Sequence, residues 1–271
     1  MCGFETAFGG KSCAAATGID RELRGFWFEG AAMGAVLLDR LMPWRTARWP
    51  ALLREEGEAH VYMLHVGAGW AIARLPGSVG KVIARFDPLL RWLLLDGYGF
   101  HEGFFHPEKR MNGQPHPRRV QGYARRAFDQ GLGRSMWFAS GADVRAVAGT
   151  IGIFSSERRG DLWSGVGLAA TYAGWASDPD LALLRELAGP FQPHVSQGAA
   201  FAAKARQRAG NLTDYQEHAC AVLCGLGAAG AAAVSDRALG DLPGDAAEPS
   251  FEIWRRRIQE VFSEKSEPVA A

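Results

Sequence analysis

The chain has 271 residues, 48% of them hydrophobic, which is enough for a sizeable core without disulfide or metal staples. Its 30 lysines and arginines nearly cancel its 29 aspartates and glutamates, which excludes the overall basic field that gathers nucleic acid or anionic lipid but leaves room for a local basic patch. The four cysteines, Cys2, Cys13, Cys220 and Cys224, suggest no disulfide framework and fit a reducing cytoplasm.

The first twenty residues, MCGFETAFGGKSCAAATGID, have no basic start followed by an apolar run, so they lack the layout of a secretory signal. We expect residues 1–20 to form a poorly ordered tail. From residue 21 one pattern recurs six times: Gly-x-Gly or Gly-x-Ala followed by an apolar or aromatic run. The copies start at Gly30, Gly67, Gly97, Gly131, Gly165 and Gly198, spaced 37, 30, 34, 34 and 33 residues apart. Helix punctuation surrounds the later copies. Pro117 can open a helix ending near Gly141, Ser156 can cap one running to Gly174, and Pro193 can open one ending at Gly210. A shorter helical segment follows each stop, from Ala142, from Asp178 with an Asp-Pro cap, and from Thr213 with Gln216 at capping-box spacing.

Glycine inside a helix costs about 0.5–1 kcal/mol relative to alanine. Six such sites therefore predict six close helix crossings. The expected fold is all-α: tandem helix pairs stacked into an α-solenoid of tetratricopeptide-like architecture, one domain over residues 21–263. Pro249 and Ser250 start a last amphipathic helix, read as a cap with Arg255, Arg256 and Arg257 partly solvated, before a disordered tail at 264–271. The longest apolar stretch, Ala219 to Val234, is mostly alanine and glycine and is shorter than the roughly 20 residues that span a bilayer. No membrane span is expected.

Familiar catalytic and cofactor motifs fail on inspection. VGAGWAI has Ile72 where a dinucleotide loop needs a third small residue, and GVGLAA follows SSERRGDL, which is no buried strand. LPGSVGKV places Leu75 and Val82 where a phosphate loop needs glycine and a hydroxyl. His101 and His106 are five apart, as are His60 and His65, whereas helical zinc ligands sit four apart. His218, Cys220 and Cys224 share one helix and read as core. No metal or cofactor is assigned.

What remains is a ladder. Glu29, Asp96, Gln130, Ser164 and Gln197 stand immediately before the repeated glycine in five of the six units, with Val66 in the other. Equivalent positions of stacked repeats share a face, so these residues either line a ligand groove with Glu102, Asp129, Arg134 and Lys204 or hydrogen-bond between helices and fix the stacking. Glu29, Asp96, His101, Glu102 and Asp129 are the acid-base candidates if the groove is catalytic.

The phrases FEGAAMGAVLLDRL, HVGAGWAIARLP, DPLLRWLLLDGYGFHEGFFHP, YARRAFDQGLGRSMWF, DLWSGVGLAATYAG and QGAAFAAKARQRAGN resemble the protein family encoded beside enediyne polyketide synthases in actinobacterial gene clusters. The resemblance covers about residues 21 to 262. It departs at the start, where members carry a further helical segment before the stretch matching RELRGFWFEG. It implies a part in making or maturing the enediyne core, alongside other accessory proteins of the cluster, and brings no catalytic residues with it. Two functions stay open: an accessory protein that binds a polyene intermediate or a pathway enzyme, and an enzyme that modifies the polyene or its cyclised product.

Overall fold

The computed structural model describes residues 2–8, 16, 18–44, 47–54 and 56–264. Among the described residues every regular element is helical. Helix α1 spans Cys2–Phe8, α2 Arg24–Leu41, α3 Arg48–Leu52, α4 Glu56–Ala59, α5 Val61–Arg74, α6 Val79–Ile83, α7 Trp92–Phe105 and α8 Pro107–Arg110. The second half continues with α9 (Ala124–Ala139), α10 (Val144–Gly152), α11 (Ser156–Ala173), α12 (Asp178–Ala188), α13 (Gln192–Arg208), α14 (Asp214–Cys224), α15 (Ala228–Ala238) and α16 (Ser250–Glu264). No single described helix is long and apolar enough to cross a membrane.

The glycine pairs fall in α2, α5, α7, α9, α11 and α13, and each of these helices packs against the next in sequence order. The two small positions have separate duties. The first receives the preceding helix: a Cβ on Gly67, Gly97, Gly131, Gly165 or Gly198 would lie 1.7–2.0 Å from the carbonyl oxygen of residue 29, 66, 96, 130 or 164. The second receives the following helix, since Gly69, Gly99, Gly133 and Gly167 face the carbonyls of Leu94, Phe128, Leu162 and Val195 at 1.9–2.1 Å. No side chain fits such gaps, so the backbones touch directly and the apolar residues around each crossing close the layer. Helices α10, α12 and α14 form a second tier, each packing on the next.

The same crossing begins earlier than the repeat pattern suggests. A Cβ on Gly3 would lie 2.0 Å from the Trp27 carbonyl oxygen. Part of the stretch read as a tail therefore forms a helix packed on α2, while residues 9–15 and 265–271 lie outside the described residues. Gly141, Gly174 and Gly210 end their helices in the left-handed region, with φ of 61°, 89° and 61°. The N-terminal signals shift by a few residues. Helix α9 begins at Ala124 and not at Pro117, because Gly122 turns the chain with φ 57° just before it. Ser155 precedes α11, making Ser156 its first residue, and α12 is capped by Ser177, whose hydroxyl donates to Asp180 at 2.6 Å. The Thr213–Gln216 capping box forms as expected.

The row of glycine-paired helices curls until its ends meet. Arg206 on α13 donates to the carbonyl of Glu22 at 2.8 Å, Asn211 donates to that of Arg21 at 3.0 Å, and Met63 of α5 packs with Tyr172 of α11 and Ala202 of α13. Helix α16 lies against α13 and α15 and buries Phe251, Trp254, Ile258 and Phe262. Arg255, expected to be partly solvated, is instead fully buried, because it reaches inward to the ladder.

Candidate functional site

Most of the ladder is a continuous buried hydrogen-bond chain. Gln130 donates to Asp96 at 2.8 Å, and the Ser164 hydroxyl lies 3.2 Å from Gln130 Oε1 and 2.8 Å from Gln197 Oε1. Arg255 extends the chain, donating to Gln197 at 3.3 Å, to Asp161 at 2.7 Å and to Glu252 at 3.2 Å. Arg126 bridges the same two carboxylates, with Asp161 at 3.0 Å and Glu252 at 2.5 Å, and Tyr123 donates to Glu252 at 2.8 Å. Between these charges the Arg255 guanidinium is held well above its ordinary range despite burial, and Asp161 is held below the usual carboxylate range. Over this stretch the polar residues fix the stacking of helices.

The chain breaks at Val66. With no polar group in that rung, Glu29 on α2 has no ladder neighbour; it meets Arg134 Nη2 at 3.8 Å and the Trp70 indole, while Arg134 gives its Nη1 to Asp96. Glu29 Oε1 and Arg134 Nε are buried without a hydrogen-bond partner among the described residues. Burial pushes the Glu29 carboxyl up to about 7; Arg134 lowers it and the Asp96 charge raises it further. This carboxyl therefore exchanges its proton near neutral pH, a property that suits acid-base chemistry.

At the break lies a small cavity of about 40 Å³, lined by Val66 together with Asp96 and Arg134. Its remaining wall is mainly apolar, formed by Tyr62, Met63, Leu168, Tyr172, Phe201 and Trp254 from helices as distant in sequence as α5 and α16. Burial raises the Tyr172 phenol to about 12, so it stays neutral. Lys204 reaches the wall but pairs with Asp236 at 2.7 Å.

The nine residues singled out from sequence thus separate. Asp96, Arg134 and Lys204 line the cavity, Glu29 sits behind Arg134, and Gln130 and Gln197 belong to the hydrogen-bonded ladder. The others stand apart. His101 accepts from Arg74 at 2.8 Å among Trp70 and Phe105. Glu102 pairs with Arg110 at 2.7 Å and lies 3.7 Å from His101; burial alone would raise its carboxyl, but these two neighbours hold it at about 2. Asp129 is clamped by Arg158 at 2.6 Å and His116 at 2.9 Å. Asp161 and Glu252 escaped the sequence reading, since no repeat position marks them, and Arg255 entered it only as a partly solvated residue of the cap. Cys220 and Cys224 are free thiols in the core, as read from their alanine-rich setting, and no group of three or more metal-ligating side chains occurs among the described residues.

No curated protein and no solved structure matches this chain. A family model does match, across residues 1–262, so it includes α1 and reaches further toward the start than the expected resemblance. The chain belongs to the family described as "Protein of unknown function (DUF1702)".

Proposed function

We propose that the glycine-paired helices form an α-solenoid whose curled inner face holds a mostly apolar small molecule. The observation that carries this is the position of the cavity: mainly apolar walls open where the polar ladder is interrupted, and two lining residues, Arg134 and Ser235, each hold a buried polar atom without a hydrogen-bond partner among the described residues. A mainly apolar lining with a few polar groups favours an apolar molecule that carries a hydrogen-bonding group. A polyene intermediate has that character. The setting in enediyne core formation rests on the sequence resemblance and the cytoplasmic location on the cysteine usage, and within that setting the protein acts as a non-enzymatic accessory that keeps the polyene from water. The test is titration of the purified protein with a linear conjugated polyene, followed by absorbance. Wild type should retain the polyene and Ala202→Trp, which fills the cavity, should not; equal retention by both, with the variant folded, refutes the cavity as the site.

A second reading has its own support. The Glu29 carboxyl, titrating near neutrality beside Asp96 and Arg134, could move a proton on a bound polyene. In that case incubation changes the polyene spectrum with time, and Glu29→Gln keeps binding while stopping the change. Deletion of the gene in a producing host, with metabolite profiling, tests the setting: unchanged enediyne titre removes it.

A further inference from the structure

A second surface shares no residue with the inner cavity. Between the C-terminal end of α2, α3 and α6, an open groove of about 330 Å³ is lined by Arg40, Lys81 and Arg85, with Trp49 and Phe86 among the lining residues. The two rings meet edge to face at 5.0 Å and are half-buried. The three cations are exposed and form no ion pair among the described residues. The acids nearby are already occupied. Asp39, also in the lining, accepts from Arg48 at 3.1 Å and from the Trp49 backbone N–H at 2.9 Å, and Asp87 accepts from the N–H groups of Leu89 and Leu90 at 2.9 and 2.8 Å. A chain that is almost neutral as a whole thus collects unpaired positive charge around one aromatic floor. Just past Arg40 the same end of α2 presents Leu41 and Trp44, 63% and 76% exposed.

We infer that this groove docks an acidic, amphipathic segment of a partner protein, with the partner's apolar side chains on Trp49 and Phe86 and its carboxylates on Arg40, Lys81 and Arg85. Charge complementarity names the partner. An aromatic centre with a charged rim is the anatomy of a protein interface, whereas a site for a small anion gathers buried N–H donors, and none of the three cations is buried. The exposed Leu41 and Trp44 extend the apolar area along the same edge, beyond what an inorganic anion would use.

The probe is a short fluorescent peptide with glutamate along one helical face and leucine and phenylalanine along the other, titrated with the full chain and followed by anisotropy. Binding should weaken by about tenfold or more in R40E/K81E/R85E, by a similar factor on raising salt from roughly 0.05 to 0.5 M, and for a peptide with glutamine in place of glutamate. All three positions are exposed, so the variant should unfold at the wild-type temperature; the salt and glutamine-peptide arms use wild type and do not depend on the variant. Undiminished binding by the triple variant or of the glutamine peptide overturns the proposal. So does competition by millimolar inorganic phosphate, which would mark a small-anion site, or sedimentation with phosphatidylserine vesicles in the absence of peptide binding, which would mark a membrane surface.

Discussion

Replacing Gly131 by alanine adds one methyl group at the centre of the helix row. Its Cβ would lie 1.7 Å from the Asp96 carbonyl oxygen, where real contacts essentially never fall below 3.0 Å, so α7 and α9 must part by more than about 1 Å. Overpacking of this kind costs about 1–3 kcal/mol, and separating the helices also strains the 2.8 Å bond from Gln130 to Asp96, worth about 1 kcal/mol more. The better helix propensity of alanine returns about 0.5–1 kcal/mol. The net expectation is a loss of about 2 kcal/mol, or a fall of roughly 4–8 °C in the unfolding midpoint. Gly149 on α10 is the control: it is helical and exposed, and a Cβ there meets nothing within 4 Å. Gly149→Ala should gain about 0.5–1 kcal/mol by the same propensity. Thermal and urea unfolding followed by circular dichroism measure both. If Gly131→Ala is as stable as wild type, the direct backbone crossing is wrong and the repeated glycines need another explanation.

Titration of Glu29 gives a second prediction. Its carboxyl is raised from about 4.5 to about 7 in the folded state, so burial carries no penalty below about pH 4.5 and a growing one as pH rises toward 7, on the order of 3 kcal/mol. Glu29→Gln should flatten stability over that window and exceed wild type at pH 8; a variant that stays parallel to wild type rejects the raised value. Glu102 has the opposite sign: held at about 2, it contributes stability above about pH 4.5 that is lost as pH falls toward 2, and Glu102→Gln should lose that acid limb. Arg255→Met leaves Asp161 and Glu252 short of a cation, and removing one member of a buried charge cluster costs about 3–5 kcal/mol. Hydrogen exchange should show α16 opening before the rest of the chain, and unchanged protection of Phe251–Phe262 would count against its anchoring role.

The row of helices was legible because its physical requirement is local and periodic. A glycine that pays the entropy cost of a helix interior six times at nearly constant spacing has few explanations, and the carbonyl opposite five of the six, all but Gly30, supplies it. The ladder was legible for the same reason: one residue before each crossing is, by construction, the same rung of the stack. The curl was not, since it depends on contacts such as Arg206 with Glu22, 184 residues apart, whose sequence neighbourhoods share no pattern. Nor was the burial of Arg255. Three consecutive arginines on an amphipathic helix read as a solvated face, and only the carboxylates of Asp161 and Glu252, brought from α11 and from one turn away, make one of them an interior residue.

The sequence left two roles open for the ladder, groove or glue; the hydrogen bonds of the structure account for the second from Asp96 to Gln197 and stop at a single residue. From Asp96 to Gln197 each rung bonds to the next, although the Gln197 amide nitrogen is left without a partner among the described residues. Val66 removes one rung. On its far side Glu29 keeps its charge cost without a ladder bond, Arg134 is divided between two carboxylates, and the cavity opens against the same valine. A polar residue at 66 would be expected to close this gap. Val66→Gln, which can bond to both Glu29 and Asp96, should lower the Glu29 pKa, shown by a smaller loss of stability between pH 4.5 and 7, and should weaken polyene retention together with it. If retention falls with no change in the pH profile, the valine matters as cavity wall alone, and the interruption of the ladder is incidental to binding.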